Sequence, residues 1–492
     1  MAEQKVMNRW LVVVGALLIQ LCLGAIYAWG AFTVALQNDA PKVAMSSSPA
    51  LLGVTNQGQY DQAKAQYKTL NDALKAANAD TDKEAIGTAK DAVKSFLATM
   101  DDAWLSGTFE RSTFDKQVFA FSATQTSWVF SAGLASFALT MIMAGRLQDK
   151  YGPKIVAIAG GLVLGAGYII AGFTGTSFMM MLIFIGIVGG AGIGLGYVCP
   201  IAACVKWFPD LKGLITGLAV AGFGAGAFIF VKLAGAWGHM IVEQGINQTF
   251  LMFGIAFGVC VVLGAFLLSN PPAGWKPAGW NPPEAKPGAA KTTVKDLTQS
   301  EIIKTSQFWM IWLAFVFSAG CGLMVIKCLK NFGTLEGGLS AAAAGSALGL
   351  LALFNGLGRV VWGTISQKLT AKYSIMLLCI LQGAMMFVLL SMGSSESKLA
   401  FAACWIGFNF GGNFALFPLL TLENFGAKNL GANYGAVFTS YGVGGILGPI
   451  MAGKVWDSMG TFKTAFIVAG IACLLAAGLA FVLKPKQETV AT

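Results

Sequence analysis

Residues 145–154, GRLQDKYGPK, join one long apolar run of the chain to the next, and a related stretch, GTISQKLTAK, joins two later runs at 363–372. The two stretches align at an offset of 218 residues, and prolines and glycines of the later apolar runs repeat at the same offset. The matched pairs are Gly145/Gly363, Lys150/Lys368, Lys154/Lys372, Pro200/Pro418, Gly213/Gly431, Gly217/Gly435, Gly224/Gly442 and Gly226/Gly444. Separate landmarks at one offset indicate an internal duplication.

The composition places this duplication in a membrane. Hydrophobic residues make up 56% of the 492 residues and charged residues 11%, which lies outside the composition of soluble enzymes. Runs of about 20 apolar residues can cross the ~30 Å hydrocarbon core of a bilayer. Twelve such runs lie near 10–36, 119–144, 155–174, 178–205, 213–234, 248–268, 307–330, 340–364, 373–392, 397–421, 430–453 and 463–484. We therefore predict an all-α membrane protein with twelve transmembrane helices in two six-helix pseudo-repeats.

The first half is the longer one because it contains a polar insertion at 38–117. Apolar side chains recur there every three or four residues over 60–74 and 86–100, which predicts an extracytoplasmic, antiparallel helical hairpin between helices 1 and 2. We favour the interpretation that the insertion is a structural addition packed on the bundle, over a lid or a partner-docking module. The predicted units are helix 1 at 1–37, the insertion at 38–117, helices 2–6 at 118–268, a cytoplasmic linker rich in Pro, Gly and Lys at 269–306, and a six-helix C-terminal half at 307–492.

The positive charges predict the orientation in the membrane. Of the 33 Lys and Arg residues, roughly 17 fall on the side that contains the N-terminus and roughly six in the short connections opposite, and the richer side is the cytoplasmic one. We therefore expect a multi-pass protein of the inner (plasma) membrane with both termini cytoplasmic. The net charge of +10 mostly reflects this bias, so we expect the lipid bilayer and not nucleic acid as a partner.

Residues that perform catalysis or bind metals are scattered. The nine Cys residues lie in apolar segments without Cys-x-x-Cys spacing, and the single histidine, His239, lies at the end of a helix. The sequence contains no cluster of His, Cys or carboxylate residues, which are the residues that hydrolytic and redox catalysis use. We expect no metal site, no cofactor and no enzyme activity.

Several motifs carry a resemblance to a known family. The stretch GRLQDKYGPK resembles the loop signature of the major facilitator superfamily. Four longer stretches look like the oxalate/formate antiporter family, which is related to the monocarboxylate transporters: IQLCLGAIYAWGAF, GLGYVCPIAACVKWFPDLKGLITGLAVAGFGAGAF, NGLGRVVWG and NYGAVFTSYGVGGILGP. Apart from the insertion, the resemblance covers nearly the whole chain. It implies the major facilitator fold and a secondary active transporter for small carboxylates that works by alternating access.

The resemblance also implies a gate in the loop signature. Arg146 and Asp149 would belong to a charge relay that stabilises one of the two alternating states. The remaining positions that match the signature are Gly145, Lys150, Gly152 and Lys154. The alternative interpretation is plain topology, because any cytoplasmic loop can carry Lys and Arg.

Polar residues of five helices are predicted to lie at one level. Counted from the cytoplasmic helix ends, Arg359, Tyr197, Tyr441, Asn413 and Gln20 lie eight to eleven residues in, or about 12–17 Å, close to the middle of the membrane. Asn355 lies one turn from Arg359 on the same face. We expect the cavity to be lined by aromatic residues as well, namely Tyr197, Phe410 and Tyr441.

Arg359 is the predicted substrate anchor. An Arg at this depth costs about 2.5–3.5 kcal/mol, and its planar fork of donors matches a carboxylate. In relatives that match NGLGR the Arg is the carboxylate anchor. The alternative is that Arg359 extends toward the interface or pairs with backbone carbonyls.

The number of cationic side chains near the middle of the membrane predicts the charge of the substrate. A dianion held by one Arg would leave a buried negative charge uncompensated, and Tyr441 stands where the oxalate/formate antiporter family has a second cation, a Lys. We therefore expect a monocarboxylate such as lactate, pyruvate, formate or acetate. Lys232 and Lys327 are expected near the outer helix ends, extended toward the interface. If either of them points inward, a dicarboxylate antiporter of the oxalate/formate type becomes the alternative.

The sequence leaves the coupling ion open. Animal monocarboxylate transporters resemble this stretch but carry Asp one turn before the Arg, where this chain has Asn355, and none of the twelve runs has a carboxylate at mid-depth. Anion exchange with a counter-anion, uniport and symport with a proton are the alternatives. We expect the transport unit to be a monomer. A membrane sensor or receptor that uses the 38–117 hairpin is the alternative of another class, and a sugar or drug carrier on the same fold is a weaker one.

Overall fold

The computed structural model describes residues 7–80, 83–235, 237–272, 274–280, 292–294, 296–484 and 487–489. Within these ranges the regular secondary structure is helical except for one pair of three-residue antiparallel strands, β1 (Thr292–Val294) and β2 (Gln487–Thr489), and an isolated antiparallel bridge between Val54 and Phe109. The strand pair joins the linker between the halves to the C-terminal tail. The predicted all-α class is confirmed.

The first half comprises the first membrane helix and five more that follow the insertion. The first helix runs through α1, a 3₁₀ stretch at Gly24–Ala28, and α2, and the fourth contains a π-helical stretch at Leu182–Gly189 between α11 and α12. The bounds are α1 Arg9–Leu23, α2 Trp29–Leu36, α9 Ala123–Tyr151, α10 Pro153–Phe173, α11 Phe178–Met181, α12 Gly190–Trp207, α13 Lys212–Ala234 and α14 Met240–Phe266. The insertion supplies the helices that lie between α2 and α9 in the chain.

The second half follows the linker and repeats the arrangement. Its first helix continues as a π-helical stretch at Phe332–Glu336. The bounds are α15 Gln299–Ile302, α16 Ser306–Asn331, α17 Ala341–Leu389, α18 Glu396–Phe425, α19 Leu430–Met459 and α20 Lys463–Val482. Thr370 interrupts α17 with a φ of +65°, so this element contains two helices.

The predicted number of membrane helices agrees with this architecture. Among the described residues eleven helices are long and apolar enough to cross a membrane. The longest of them, Ala343–Leu389, contains the interruption at Thr370 and therefore supplies two spans. The interruption falls between the predicted runs 340–364 and 373–392, and twelve spans result.

The insertion has a small core of its own. Its helices are α3 Ala40–Ser46, α4 Pro49–Leu52, α5 Gln57–Asp80, α6 Lys83–Ala98, α7 Asp102–Thr108 and α8 Arg111–Phe114. The long helices α5 and α6 pair as the predicted hairpin, with the rings of Tyr67 and Phe96 stacked 6.4 Å apart. Tyr60, Phe109 and Phe114 are buried in a cluster that is separate from the membrane core. The four short helices were not predicted.

The two halves contact each other most extensively along two related helix pairs, α9 with α19 and α13 with α17. A Cβ atom added to Gly145 would lie 2.1 Å from the carbonyl oxygen of Gly431, and one added to Gly213 would lie 2.1 Å from that of Gly363. These four glycines are two of the pairs that repeat at the 218-residue offset. We call these contacts the glycine seams.

The glycine seams continue deeper into the bundle with the same symmetry. An added Cβ on Gly217 would lie 2.2 Å from the carbonyl oxygen of Arg359, and one on Gly435 would lie 2.5 Å from that of Met141. Met141 precedes Arg359 by the same offset. The seams hold the halves in backbone contact at the end of the bundle that contains the linker, which we call the linker end; the opposite end is the insertion end.

Candidate functional site

Arg359 lies in α17 where the two halves meet. Its side chain is fully buried. Nε and Nη2 donate to Oδ1 of Asn355 at 3.2 and 3.0 Å, and Nη1 donates to the carbonyl oxygen of Val220 in α13 at 2.8 Å. The expected contact with Asn355 one turn away is therefore present. The partner from the other half, Val220, was not predicted because it is a backbone group.

Aromatic rings lie on both sides of the guanidinium. Its central carbon lies 4.2 Å from the ring centroid of Phe414 and 5.5 Å from that of Phe223, distances at which a cation is attracted to the ring face. The ion pairs formed by the described residues do not include Arg359. Neutral groups alone therefore hold this charge, which leaves it available to an anion.

Two of the predicted polar residues connect helices below the cavity. The Gln20 amide nitrogen donates to the carbonyl oxygen of Tyr197 at 2.9 Å and thus joins α1 to α12. The Asn413 side chain accepts from the Ser318 hydroxyl at 2.8 Å and donates to the carbonyl oxygen of Phe410 at 3.2 Å. Both amides are fully buried. The structure brings neither of them to the cavity, because both helix faces point toward neighbouring helices.

Two tyrosines form a contact between the halves. The hydroxyls of Tyr441 in α19 and Tyr27 in the first membrane helix are hydrogen-bonded to each other. Tyr27 was not among the predicted site residues, although it belongs to the motif GAIYAWG. Tyr197 packs against Phe223 and Phe438, and its buried hydroxyl has no hydrogen-bond partner among the described residues.

A cavity of about 570 Å³ lies between the halves. Tyr27, Asn355 and Phe410 line it near the middle of the bundle, and Thr33, Thr126 and Lys327 line it toward the insertion end. Arg359 lies beneath Asn355 and does not line the cavity itself. The aromatic lining expected of Phe410 is present, whereas Tyr197 and Tyr441 lie below the cavity.

The expected direction of the Lys327 side chain was wrong. The side chain lines the central cavity instead of extending toward the membrane interface. Lys232 does not line that cavity, and its ammonium lies 5.7 Å from the ring centroid of Phe228, which agrees with the expected outer position. The counting of residues along α16 placed Lys327 at the right height but could not say which way its side chain points.

Asp149 connects the loop signature to the other half. Its carboxylate accepts hydrogen bonds from the backbone N–H groups of Gly431 at 3.3 Å and Ala432 at 2.8 Å, at the N-terminus of α19, where the helix dipole favours negative charge. Arg146 donates to the side chain of Gln299 in α15, which in turn donates to the carbonyl oxygen of Ala432 at 3.0 Å. Asp149 and Arg146 thus act on the same helix end without pairing directly.

The other signature residues lie around this contact. Gly145 belongs to the glycine seams, and Gly152, with a φ of +87°, makes the turn between α9 and α10 that L side chains rarely adopt. The ammonium groups of Lys150 and Lys154 lie 5.0 Å from the ring of Tyr151 and 4.5 Å from that of Phe266. Gln299 was missed because it lies in the linker, far from the signature in sequence.

Comparisons with known proteins agree with this architecture. Residues 93–449 match the model of the Major Facilitator Superfamily. The chain is 27% identical to the oxalate:formate antiporter of Oxalobacter formigenes over 70% of this chain and 78% of that protein. It is 23% identical to monocarboxylate transporter 12 of Rattus norvegicus over 75% of this chain and 80% of that protein. The resemblances stated from the motifs are thereby confirmed.

Solved structures show the same fold. The proton:xylose symporter XylE superimposes with a TM-score of 0.63 at 11% identity, over 97% of this chain and 96% of that chain. At this identity the likeness concerns the fold alone. Proteins of this fold and family are transporters and not enzymes, and this multi-pass membrane protein belongs to the major facilitator superfamily.

Proposed function

We propose that the protein is a secondary active transporter that moves a small monocarboxylate, such as lactate, pyruvate, formate or acetate, by alternating access. The observation that carries the proposal is Arg359, a fully buried cation between the halves that is held by neutral groups only. Three of its five N–H donors are used in these contacts, and the two that Asn355 accepts, at Nε and Nη2, form the planar fork that a carboxylate can take over. One carboxylate neutralises one guanidinium, which favours a monoanion.

Two neutral groups near Arg359 suit the rest of such a substrate. The hydroxyls of Tyr27 and Tyr441 can donate to or accept from a hydroxyl or keto oxygen, which lactate and pyruvate carry beside the carboxylate. Asn355 lies between the cavity and the guanidinium. A substrate carboxylate therefore has to replace Asn355 as the partner of Arg359.

We propose that this conformation faces outward. The glycine seams close the linker end, and the cavity extends toward the insertion end. The excess of Lys and Arg at the linker end supports a cytoplasmic location for that end and for both termini, in the plasma membrane. Asp149, bound to the N-terminus of α19, stabilises this state and has to release that helix before the linker end opens.

The proposed anchor is tested by uptake into proteoliposomes. Uptake of radiolabelled lactate, pyruvate, formate and acetate is compared for the unmodified protein, Arg359→Ala and Arg359→Lys. We expect Arg359→Ala to lose at least about 100-fold in uptake, since the charged hydrogen bonds lost contribute about 1.5–3 kcal/mol each. Arg359→Lys should recover little, because a point charge lacks the planar fork.

Two outcomes contradict the proposal. Uptake that survives in Arg359→Ala refutes the anchor, and a protein that accumulates oxalate but ignores all four monocarboxylates refutes the substrate class. The same vesicles also test the coupling: accumulation driven by an imposed pH gradient alone supports proton movement, and accumulation that needs internal anion supports exchange. The described cavity lining contains no Asp or Glu, which favours exchange, uniport or a proton carried by the substrate.

A dicarboxylate is the second candidate, and one observation favours it. Lys327 lines the same cavity as Asn355, so a second cation is present, although not at the position of Tyr441. If the unmodified protein prefers dicarboxylates and Lys327→Gln converts it to a monocarboxylate carrier, this second candidate replaces the first.

A further inference from the structure

The cavity contains one charged side chain that the proposed binding of the carboxylate to Arg359 does not use. Among the described residues that line the cavity, only Lys327 is charged. Its side chain is exposed, and within the described part of the chain its ammonium has no ion-pair partner. Leu323 and Ile326 of the same helix face the cavity beside it. A single unpaired ammonium on a largely apolar surface attracts anions into the cavity.

Lys327 lies on the route from the insertion end to Arg359. The helix of Lys327 ends at Glu336, nine residues after Lys327. The next helix begins at Ala341, and Arg359 lies 18 residues after that start. Lys327 is therefore about 13 Å nearer to the insertion end. Side chains of a helix lean toward its N-terminus, and α16 begins at the linker end. This tendency favours an inward direction for Lys327, whose side chain lines the same cavity as Asn355.

We infer that Lys327 is an outer anion subsite, which captures the carboxylate near the cavity mouth before it reaches Arg359. This inference rests on the proposed carboxylate transport. Because the ammonium is exposed and hydrated, it binds an anion weakly and releases it readily, unlike the buried guanidinium. A small monocarboxylate has one carboxyl group and is shorter than the separation of the two cations along the bundle. It therefore occupies the two cations in turn.

The subsite is tested in proteoliposomes with lactate as the probe. KM and Vmax for uptake are measured at low and high salt for the unmodified protein, Lys327→Gln, Lys327→Arg and, as the matched control, Lys232→Gln. We expect Lys327→Gln to raise KM about fivefold at low salt, with Vmax within twofold. High salt should remove the difference, since exposed charges are screened. Lys327→Arg and Lys232→Gln should keep the original KM.

A second measurement uses the unmodified protein. Acylation of its lysines by a membrane-impermeant amine reagent is followed by mass spectrometry, with lactate or the uncharged lactamide present. We expect lactate, and not lactamide, to slow the modification of Lys327 at least twofold while Lys232 reacts at an unchanged rate. Equal rates at Lys327 with and without lactate overturn the subsite.

The failures of the two proposals are distinguishable. If Arg359→Ala abolishes lactate uptake while Lys327→Gln keeps the original KM at low salt, the outer subsite is refuted and the anchor stands. If the unmodified protein transports no carboxylate, both are refuted. A fall in Vmax of Lys327→Gln at unchanged KM also counts against capture, because capture acts on the step before translocation.

Discussion

The guanidinium of Arg359 receives hydrogen-bond partners from both halves, Asn355 from its own helix and the Val220 carbonyl from the other. Hydrogen bonds to a charged group contribute about 1.5–3 kcal/mol each. Three of them offset the ~2.5–3.5 kcal/mol that a mid-membrane Arg costs. The protein's own groups can therefore hold the charge, and a bound anion would add the negative charge that compensates it.

Replacing Asn355 by Asp tests this arrangement. A carboxylate at this position would pair permanently with Arg359, since a charge-assisted bidentate pair is roughly twice as strong as a neutral hydrogen bond. We expect Asn355→Asp to raise KM for lactate about tenfold or more, with the loss largest at high pH, where the new carboxylate is ionised. Uptake kinetics between pH 5 and pH 8 provide the measurement.

Asn355→Gln serves as the neutral control. It keeps an amide that can accept from the guanidinium, so its KM should change much less than that of Asn355→Asp and without dependence on pH. If both variants behave alike, the effect comes from the changed packing of the side chain and not from competition with the substrate.

The helices of the glycine seams approach so closely because at each contact at least one partner is a glycine, which has no side chain. On α17, Gly363 faces Gly213, and an added Cβ would lie 2.4 Å from the Gly213 carbonyl oxygen. On the same helix, a Cβ added to Gly349 would have no atom within 4 Å. The seams therefore allow a direct comparison of two glycines in one helix.

We expect Gly363→Ala to impair closure of the linker end, because overpacking costs about 1–3 kcal/mol. The outward-facing state should lose population, and Vmax should fall severalfold or more. Gly349→Ala should leave Vmax unchanged and slightly raise the melting temperature, since Ala favours a helix by roughly 1 kcal/mol over Gly. Uptake rates and melting curves of the two variants check this, and equal behaviour would argue against the seams.

The insertion is attached to the bundle by closely spaced ends. The N–H of Phe121 donates to the carbonyl oxygen of Leu36 at 2.8 Å, and that of Ala120 donates to the carbonyl oxygen of Asn38 at 3.3 Å. The N–H of Ser48 also donates to the carbonyl oxygen of Val242 at 3.0 Å, which fastens the insertion to α14. With its own buried cluster, the insertion resembles a unit that can be removed without cutting the membrane core.

Deletion of the insertion therefore distinguishes the transporter interpretation from the sensor interpretation. A short Gly-Ser linker from residue 38 to residue 119 should give a folded protein whose lactate KM and Vmax stay within about twofold, because the cavity is lined by the membrane helices. Melting curves and uptake provide the measurement. Loss of transport in a variant that still melts cooperatively would favour the lid or sensor interpretation.

Short-range patterns of the sequence predicted much of the molecule. The apolar runs predicted the spans, because crossing ~30 Å of hydrocarbon needs a certain length of helix whatever its neighbours are. The 218-residue repeat predicted two halves, and the i, i+4 spacing predicted the contact between Asn355 and Arg359. Each of these depends on one helix or on a comparison of helices, without knowledge of how they pack.

The direction in which each side chain points was decided by packing. Membrane helices are apolar on nearly every face, so their sequence does not mark the face that meets a neighbour. Only the assembled bundle places Lys327 in the cavity, turns Gln20 and Asn413 away from it, and joins Tyr27 to Tyr441. The identity of the central cation follows from the sequence, whereas its partners follow from the rotation and tilt of helices that are far apart in the chain.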